Sequence, residues 1–507
     1  MSTDLSRRTF VGSLAAAAAA SGLPATAAYG SHWDDLDALD ATGLADLVRA
    51  REISARELLD RTIRRITDLN PIVNAVTLQH YELAEKSIAS IDAAAPFAGV
   101  PFLLKDLWVA MADTEITNGS RFFRGFRYDH DGELIARFRR AGLVIVGKAA
   151  SPEFGLTTTT ESALHGDVRN PWRLDRTAGG SSGGSAAAVS SGMVSIAHAS
   201  DGGGSIRIPA SCCGLVGLKT SRGRVPFPIR RYQGWGGLST HFAVTRSVRD
   251  AARLLDAVAG PEAGASVLQA PAPETFARAI ASSPRPLRIA RLAAPLSGAA
   301  VDPECERAVD RVVEVCRKLG HQVEIATPNI DYKAYTAAFG TIIAVQTLAA
   351  LRDREAQLGR LCTPEDVEPV TWLIAQSGKQ IDGLAFASAE TTLDLAARQS
   401  GEFFKAWDLL LSPTLAQAPV ALGKLGLSPR DFAQYAADVT AFSPYASLAN
   451  VTGQPSISLP LAVSSEGLPV GVMFTGRYAE ESLLLSLARQ LEEAMPWSGR
   501  RPTFRVA

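Results

Sequence analysis

The stretch from residue 179 to residue 211, GGSSGGSAAAVSSGMVSIAHASDGGGSIRIPAS, sets the tightest limit on what this chain can fold into. Two glycine-serine clusters, residues 179–185 and 202–205, bracket an apolar segment of small residues. Glycine costs regular structure about 0.5–1 kcal/mol per position against alanine. A folded domain keeps so many only where the backbone must turn tightly, or where its N–H groups approach a ligand. Residues 186–201 read as a buried helix running into a strand, which argues against a flexible linker. A phosphate cradle would follow its glycines with Gly-Lys-Ser/Thr, or set G-x-G-x-x-G before a helix with an acidic residue about twenty positions on; neither pattern is present. What remains is a serine held among backbone donors, the arrangement that acyl transfer needs.

The rest of the chain reads as support for that stretch. Length alone would allow three domains at 507 residues, but strands alternate with helices throughout and no proline-rich or charged linker divides them. The pattern predicts one large α/β domain over residues 36–505, a mixed sheet covered by helices. With 47% hydrophobic and 20% charged residues the chain can bury a large core. Its net charge is −1, with Lys and Arg spread along the chain, so nucleic acid and anionic membrane partners have no electrostatic support. The five cysteines, with Cys212 and Cys213 adjacent, do not form a disulfide framework. No Cys/His spacing resembles a zinc site, and neither a metal nor a cofactor is expected.

The N-terminus, MSTDLSRRTFVGSLAAAAAASGLPATAA, sets Arg7 and Arg8 before Phe10 and an alanine-rich apolar run. Residues 1–28 therefore resemble a Tat-type signal peptide, which places the protein in the periplasm or outside the cell. No other stretch approaches the roughly 18 apolar residues of a membrane span. Ser54 and Glu57 form a capping box before apolar residues at helical spacing, with Pro71 expected to end that helix. Residues 100–104 read as a buried strand that delivers Lys105 and Asp106, and residues 143–146 as another, followed by Gly147 and Lys148. A helix over residues 304–319 between strands at 287–292 and 322–326 makes a βαβ-like unit. Residues 335–351 and 384–407 read as long helices.

Amide hydrolysis needs a nucleophile, a base, an oxyanion site and an acid for the leaving amine. His198 lies near the serines, but in an apolar strand it reads as a core residue. A lysine can replace histidine as the base when burial lowers its pKa. Lys105 and Lys148 both end apolar strands, and spacing alone does not separate them.

GGSSGGS, followed by DGGGSIRIPAS with Ser205 24 residues after Ser181, resembles the signature of the amidase signature family of serine hydrolases. GVPFLLKDL around Lys105, ESALHGDVRNPW and GLVGLK match as well, and the likeness runs from about residue 45 to residue 502. Within the family, PFAGVPFLLKDL, AWDLLLSPTLAQAP and QPSISLPLA are most similar to the hydrolases of cyclic 6-aminohexanoate oligomers. The resemblance implies Ser205 as nucleophile, Ser181 as relay after a cis peptide at Gly180, and Lys105 as base, leaving Lys148 structural. It implies an oxyanion hole from the N–H groups of Gly202, Gly203, Gly204 and Ser205. It also implies an ionic support from Asp201 and Arg207, and a hydrogen bond within the site from Ser182.

The partner expected is a small-molecule amide, with a homodimer left open. Carbamate or ester cleavage by the same site, and a binding module that keeps only the fold, are the alternatives. The loop at residues 225–238, with Phe227, Tyr232 and Trp235, and residues 442–445 are the expected pocket walls. Three features depart from the family pattern: glycine at position 202, Lys219-Thr220-Ser221 for Lys-Pro-Thr, and no cysteine near residues 338–342.

Overall fold

Ser54 opens the first long helix, α1 (Ala55–Val73): its hydroxyl accepts the N–H of Glu57 at 3.1 Å and its own N–H donates to the Glu57 carboxylate at 2.8 Å. The computed structural model describes residues 35–229, 233–269 and 271–503. The twin-arginine segment and Tyr232 lie outside the described residues. Helix α1 runs past Pro71, where the sequence predicted its end. Pro71 sits in the last turn and removes one N–H donor there. The stop comes instead from Asn74, left-handed at φ 58°, and from Asn70, whose Oδ1 accepts the N–H groups of Ala75 and Val76.

Eleven strands make the central sheet. They are β1 (Val76–Gln79), β2 (Pro101–Lys105), β3 (Val144–Ala149), β4 (Ile196–Asp201), β5 (Val216–Lys219), β6 (Thr240–Thr245), β7 (Arg288–Arg291), β8 (Gln322–Ile325), β9 (Leu409–Pro413), β10 (Ser456–Val463) and β11 (Pro469–Gly476). Their order across the sheet is β1-β3-β2-β4-β6-β5-β10-β11-β9-β7-β8. Strand β2 runs parallel to β3 and β4, and β7 parallel to β8 and β9; the other pairings are antiparallel. The expected mixed sheet is thus present in one domain. Its central strands are buried along their whole length, as sheets covered on both faces are.

The glycine-serine stretch forms the helix and strand its pattern predicted. Helix α2 (Gly183–Ser190) follows the first cluster, β4 leads into the second, and α3 (Arg207–Cys213) leaves it, all three buried. Further on, α4 (Pro303–Lys318) joins β7 to β8 in the predicted parallel unit. Helices α5 (Tyr332–Leu358), α6 (Pro369–Gly378) and α7 (Gly383–Phe403) pack together beside the second glycine cluster. One 18-residue window of α5 has a mean hydropathy of 1.5, so by length and composition alone the helix could cross a membrane, which the sequence reading did not expect of any stretch after the N-terminus. In the fold it buries Tyr335, Ala338 and Ile342 against Leu238, Leu393 and Val451.

Candidate active site

Strand β2 ends on Lys105, and β4, beside it, ends on Asp201, so one edge of the sheet's middle carries both groups. Lys105 is fully buried. Its Nζ donates to Ser181 Oγ at 2.7 Å and to Ser200 Oγ at 3.0 Å. Burial pushes its pKa down to about 7, and the carboxylate of Asp201 opposes part of that fall. Near neutrality the amine is therefore partly unprotonated, and its lone pair can accept from Ser181 while its N–H still donates to Ser200. Gly180–Ser181 is a cis peptide, as the resemblance implied.

Ser181 is almost covered, whereas Ser205 is half-exposed at the turn out of β4. Both line one open cleft, together with Ser200, Gly202 and Ser239. Buried lysine, covered serine and open serine thus stand in order from the core to the cleft. Leu107, Trp108, Phe227, Ile229, Trp235 and Ala350 make most of its wall apolar. Lys148 points elsewhere. It lies within β3, and its Nζ donates to Thr114 Oγ1 at 3.0 Å and to the Glu115 carbonyl. Burial brings its pKa down to about 8, with Asp106 opposing, but no hydrogen bond joins it to a serine of the cleft.

Asp201 builds the loop. Its carboxylate accepts the N–H of Gly204 at 2.8 Å and that of Ile206 at 3.1 Å, and the Arg207 guanidinium at 2.9 Å through both Nε and Nη2. Asn450 closes the group, donating to Asp201 Oδ1 at 2.8 Å and accepting from Arg207 at 2.7 Å. Both ions are fully buried, so this is no surface pair. Burial alone would raise the Asp201 carboxyl, but Arg207 overrides it and holds the group well below the usual carboxylate range. Because Gly204 donates to Asp201, its N–H is taken. The oxyanion donors expected from the sequence therefore reduce to Gly202, Gly203 and Ser205. Gly204 serves by conformation instead: its φ is +131°, and a Cβ there would stand 2.7 Å from Ala446 Cβ.

Ser182 Oγ donates to the Ser200 carbonyl at 3.2 Å and accepts the Ser200 N–H at 3.3 Å, tying α2 to β4. His198 is a satisfied core residue, as read from the sequence; its Nδ1 accepts the N–H of Lys105 at 3.1 Å. Phe227 and Trp235 line the cleft as predicted, but residues 442–445 do not. Phe442 belongs to the main core, and Tyr445 lines a separate cavity with Leu292 and Met473. A Cβ on Gly202 would meet the Trp235 ring at 2.7 Å, so the glycine that departs from the family pattern makes room for this tryptophan. In the second departure, Lys219 Nζ donates to the Thr220 carbonyl at 2.8 Å and the Ser221 N–H to Glu481 at 2.8 Å. None of the five cysteines lines the cleft.

Sequence reasoning missed Ser200, His241, Asn450 and Gln346. Ser200 was reachable, since it shares a strand face with His198. Asn450 lies 249 residues from Asp201 and carried no local signal.

With the serines, the lysine and the glycine loop assembled, the comparison with known proteins becomes decisive: the profile of the Amidase family matches residues 57–485. The chain belongs to the amidase signature family. It is 39% identical to the 6-aminohexanoate-cyclic-dimer hydrolase of Paenarthrobacter ureafaciens, over 91% of this chain and 96% of that protein. It is 35% identical to the putative amidase AmiC of Mycobacterium tuberculosis strain H37Rv, over 92% of this chain and 96% of the relative. Among solved structures, 6-aminohexanoate cyclic dimer hydrolase complexed with substrate superposes with a TM-score of 0.88 at 38% identity, covering 92% of this chain and 99% of that one. A bacterial aryl acylamidase of the family gives 0.82 at 28% identity, covering 91% and 99%. The protein is an amide-hydrolysing enzyme, and its sheet and helices are those of the family.

Proposed function

We propose that this amidase is exported and cleaves small or oligomeric amides through an acyl-enzyme on Ser205, with Ser181 as relay and Lys105 as base. The observation that carries this reading is the 2.7 Å contact between Ser181 Oγ and a wholly buried Lys105 amine, behind a cleft that Ser205 also lines. Ser205 Oγ attacks the amide carbon while its proton passes to Ser181 and the Ser181 proton to Lys105. The N–H groups of Gly202, Gly203 and Ser205 take the charge that develops on the carbonyl oxygen. As the tetrahedral adduct collapses, the proton returns through Ser181 to the leaving nitrogen and the amine departs. Water then attacks the ester by the same relay and frees Ser205.

The apolar wall suits an acyl group rich in methylenes or an aromatic ring. Similarity to the 6-aminohexanoate-cyclic-dimer hydrolase puts cyclic oligoamides first among substrates. A serine-directed covalent probe, followed by mass spectrometry of the labelled peptide, tests the site; label on any serine other than Ser205 sinks the assignment. A panel of cyclic oligoamides, linear amides, anilides, carbamates and esters tests the substrate. Higher kcat/KM on carbamates or esters than on every amide would replace it.

A further inference from the structure

The cleft carries one polar ring whose hydrogen-bonding role the fold determines, His241. In the antiparallel pairing of β6 with β4, His241 lies opposite Ser200, and side chains of directly opposed residues rise on the same face. His198, two positions before Ser200, shares that face. Its ring and that of His241 are nearly coplanar, with centroids 5.3 Å apart and 8° between planes.

The protons on the two rings follow from one backbone group. The N–H of Lys105 can only donate, and it donates to His198 Nδ1 at 3.1 Å, so neutral His198 carries its proton on Nε2. That nitrogen stands 3.1 Å from His241 Nδ1, which must therefore accept. Neutral His241 is left with its proton on Nε2. Both rings are neutral at physiological pH: burial, then Lys105, brings His198 to about 3, and burial, then His198 and Lys105, holds His241 well below the usual histidine range. His241 is buried where it borders both the cleft that the serines line and a second cavity beside Gln233 and Thr240, its ring meets that of Phe227 edge-on with centroids 4.4 Å apart, and among the described residues no protein acceptor takes its Nε2–H.

We propose that His241 is a substrate-positioning residue whose Nε2–H binds an acceptor oxygen away from the bond being cut, such as the second carbonyl of an oligoamide. Because Nδ1 is already occupied by His198, the ring offers a donor only and gives an ammonium group nothing to bind. The selectivity is thus for neutral, carbonyl-bearing substrates over those that end in a free amine. This inference rests on the amidase reading above and adds the selectivity of the same site.

The test uses the full-length enzyme and three sets of p-nitroanilides over a range of chain lengths: N-acetyl-ω-aminoacyl, matching alkanoyl, and free ω-aminoacyl. Wild type should prefer the acetylated set, which carries the second carbonyl, at one or more lengths. His241→Phe should lose about tenfold more in kcat/KM on that set than on the alkanoyl set, mainly through KM. His241→Gln, which restores an N–H donor, should recover most of the loss. An equal fall on all sets, or no fall, overturns the proposal. So does a wild type that turns over the series without preferring the acetylated set, a comparison that holds even if the phenylalanine variant fails to fold. A wild type that cleaves no member overturns the amidase reading itself, and this inference with it.

Discussion

Lys105 and Lys148 show how little residue type and burial decide by themselves. Both are buried, and both are held below the usual lysine range, at about 7 and about 8, by desolvation before any other cause. Only Lys105 has a serine hydroxyl within proton-transfer distance. Below pH 7 its ammonium cannot accept a proton, so kcat should rise as pH increases through about 7. Stopped assays across that range should show the rising limb in wild type and in Lys148→Ala, and its loss in Lys105→Ala. Lys105→Ala and Ser181→Ala should each lower kcat by about 10²–10⁴, the usual contribution of general base catalysis, with KM changing far less. The double variant should be little worse than the poorer single, because the two groups act as a unit. Ser205→Ala removes the atom that bonds the acyl group, so covalent labelling and turnover should both vanish.

The loop from Asp201 to Arg207 is a small ion-centred element, and the fold uses it twice. The carboxylate fixes the backbone through Gly204 and Ile206 and joins two helices through Arg207 and Asn450. Removing one member of a buried pair leaves the other charge unpaired, at a cost of about 3–5 kcal/mol. Asp201→Ala should lose stability on that order, read from the midpoint and slope of urea unfolding, and an unchanged midpoint would show the pair to be idle. The cleft wall is set by two tryptophans in left-handed backbone, Trp108 at φ 49° and Trp235 at φ 51°. Gly202→Ala puts a methyl where the Trp235 ring lies, 2.7 Å from its edge. The variant should lose kcat/KM on bulky apolar acyl groups more than on acetyl amides, and an equal loss on both would place Trp235 outside the substrate's path.

Across the whole molecule, the sheet brings together what the chain separates. Strands β2, β4 and β6 carry Lys105, Asp201 and His241 side by side, while Asn450 arrives from just before β10 and Gln346 from α5. A site assembled this way exists only once the domain has folded, which suits a route that exports folded proteins. Twin-arginine recognition depends on both cations, so the double variant Arg7→Lys, Arg8→Lys should hold the precursor in the cytoplasm. Cell fractionation with an antibody to the mature domain measures this, and undiminished export would remove the assignment.

What could be read in the chain was local or carried by signature. The capping box at Ser54, the parallel unit around α4, and the helix and strand inside the glycine-serine stretch all follow from neighbours in sequence, where propensity and periodicity act. Ser205, Ser181 and Lys105 stand out in the sequence because their surroundings resemble a family motif, and the fold sets Lys105 against Ser181 behind a cleft that Ser205 also lines. The end of α1 differs from the one its proline predicts because a side chain, Asn70, stops the helix rather than the proline beside it. The family motif counts Gly204 among the oxyanion donors, but sequence does not say where an N–H points, and its partner is the Asp201 carboxylate. Nothing in the sequence separates cleft wall from core at residues 442–445, because aromatic residues look alike in sequence whether they face a substrate or the core. His241 and Asn450 carried no sign at all. Their roles come from strand register and from contacts between distant segments, and both exist only when the sheet is complete.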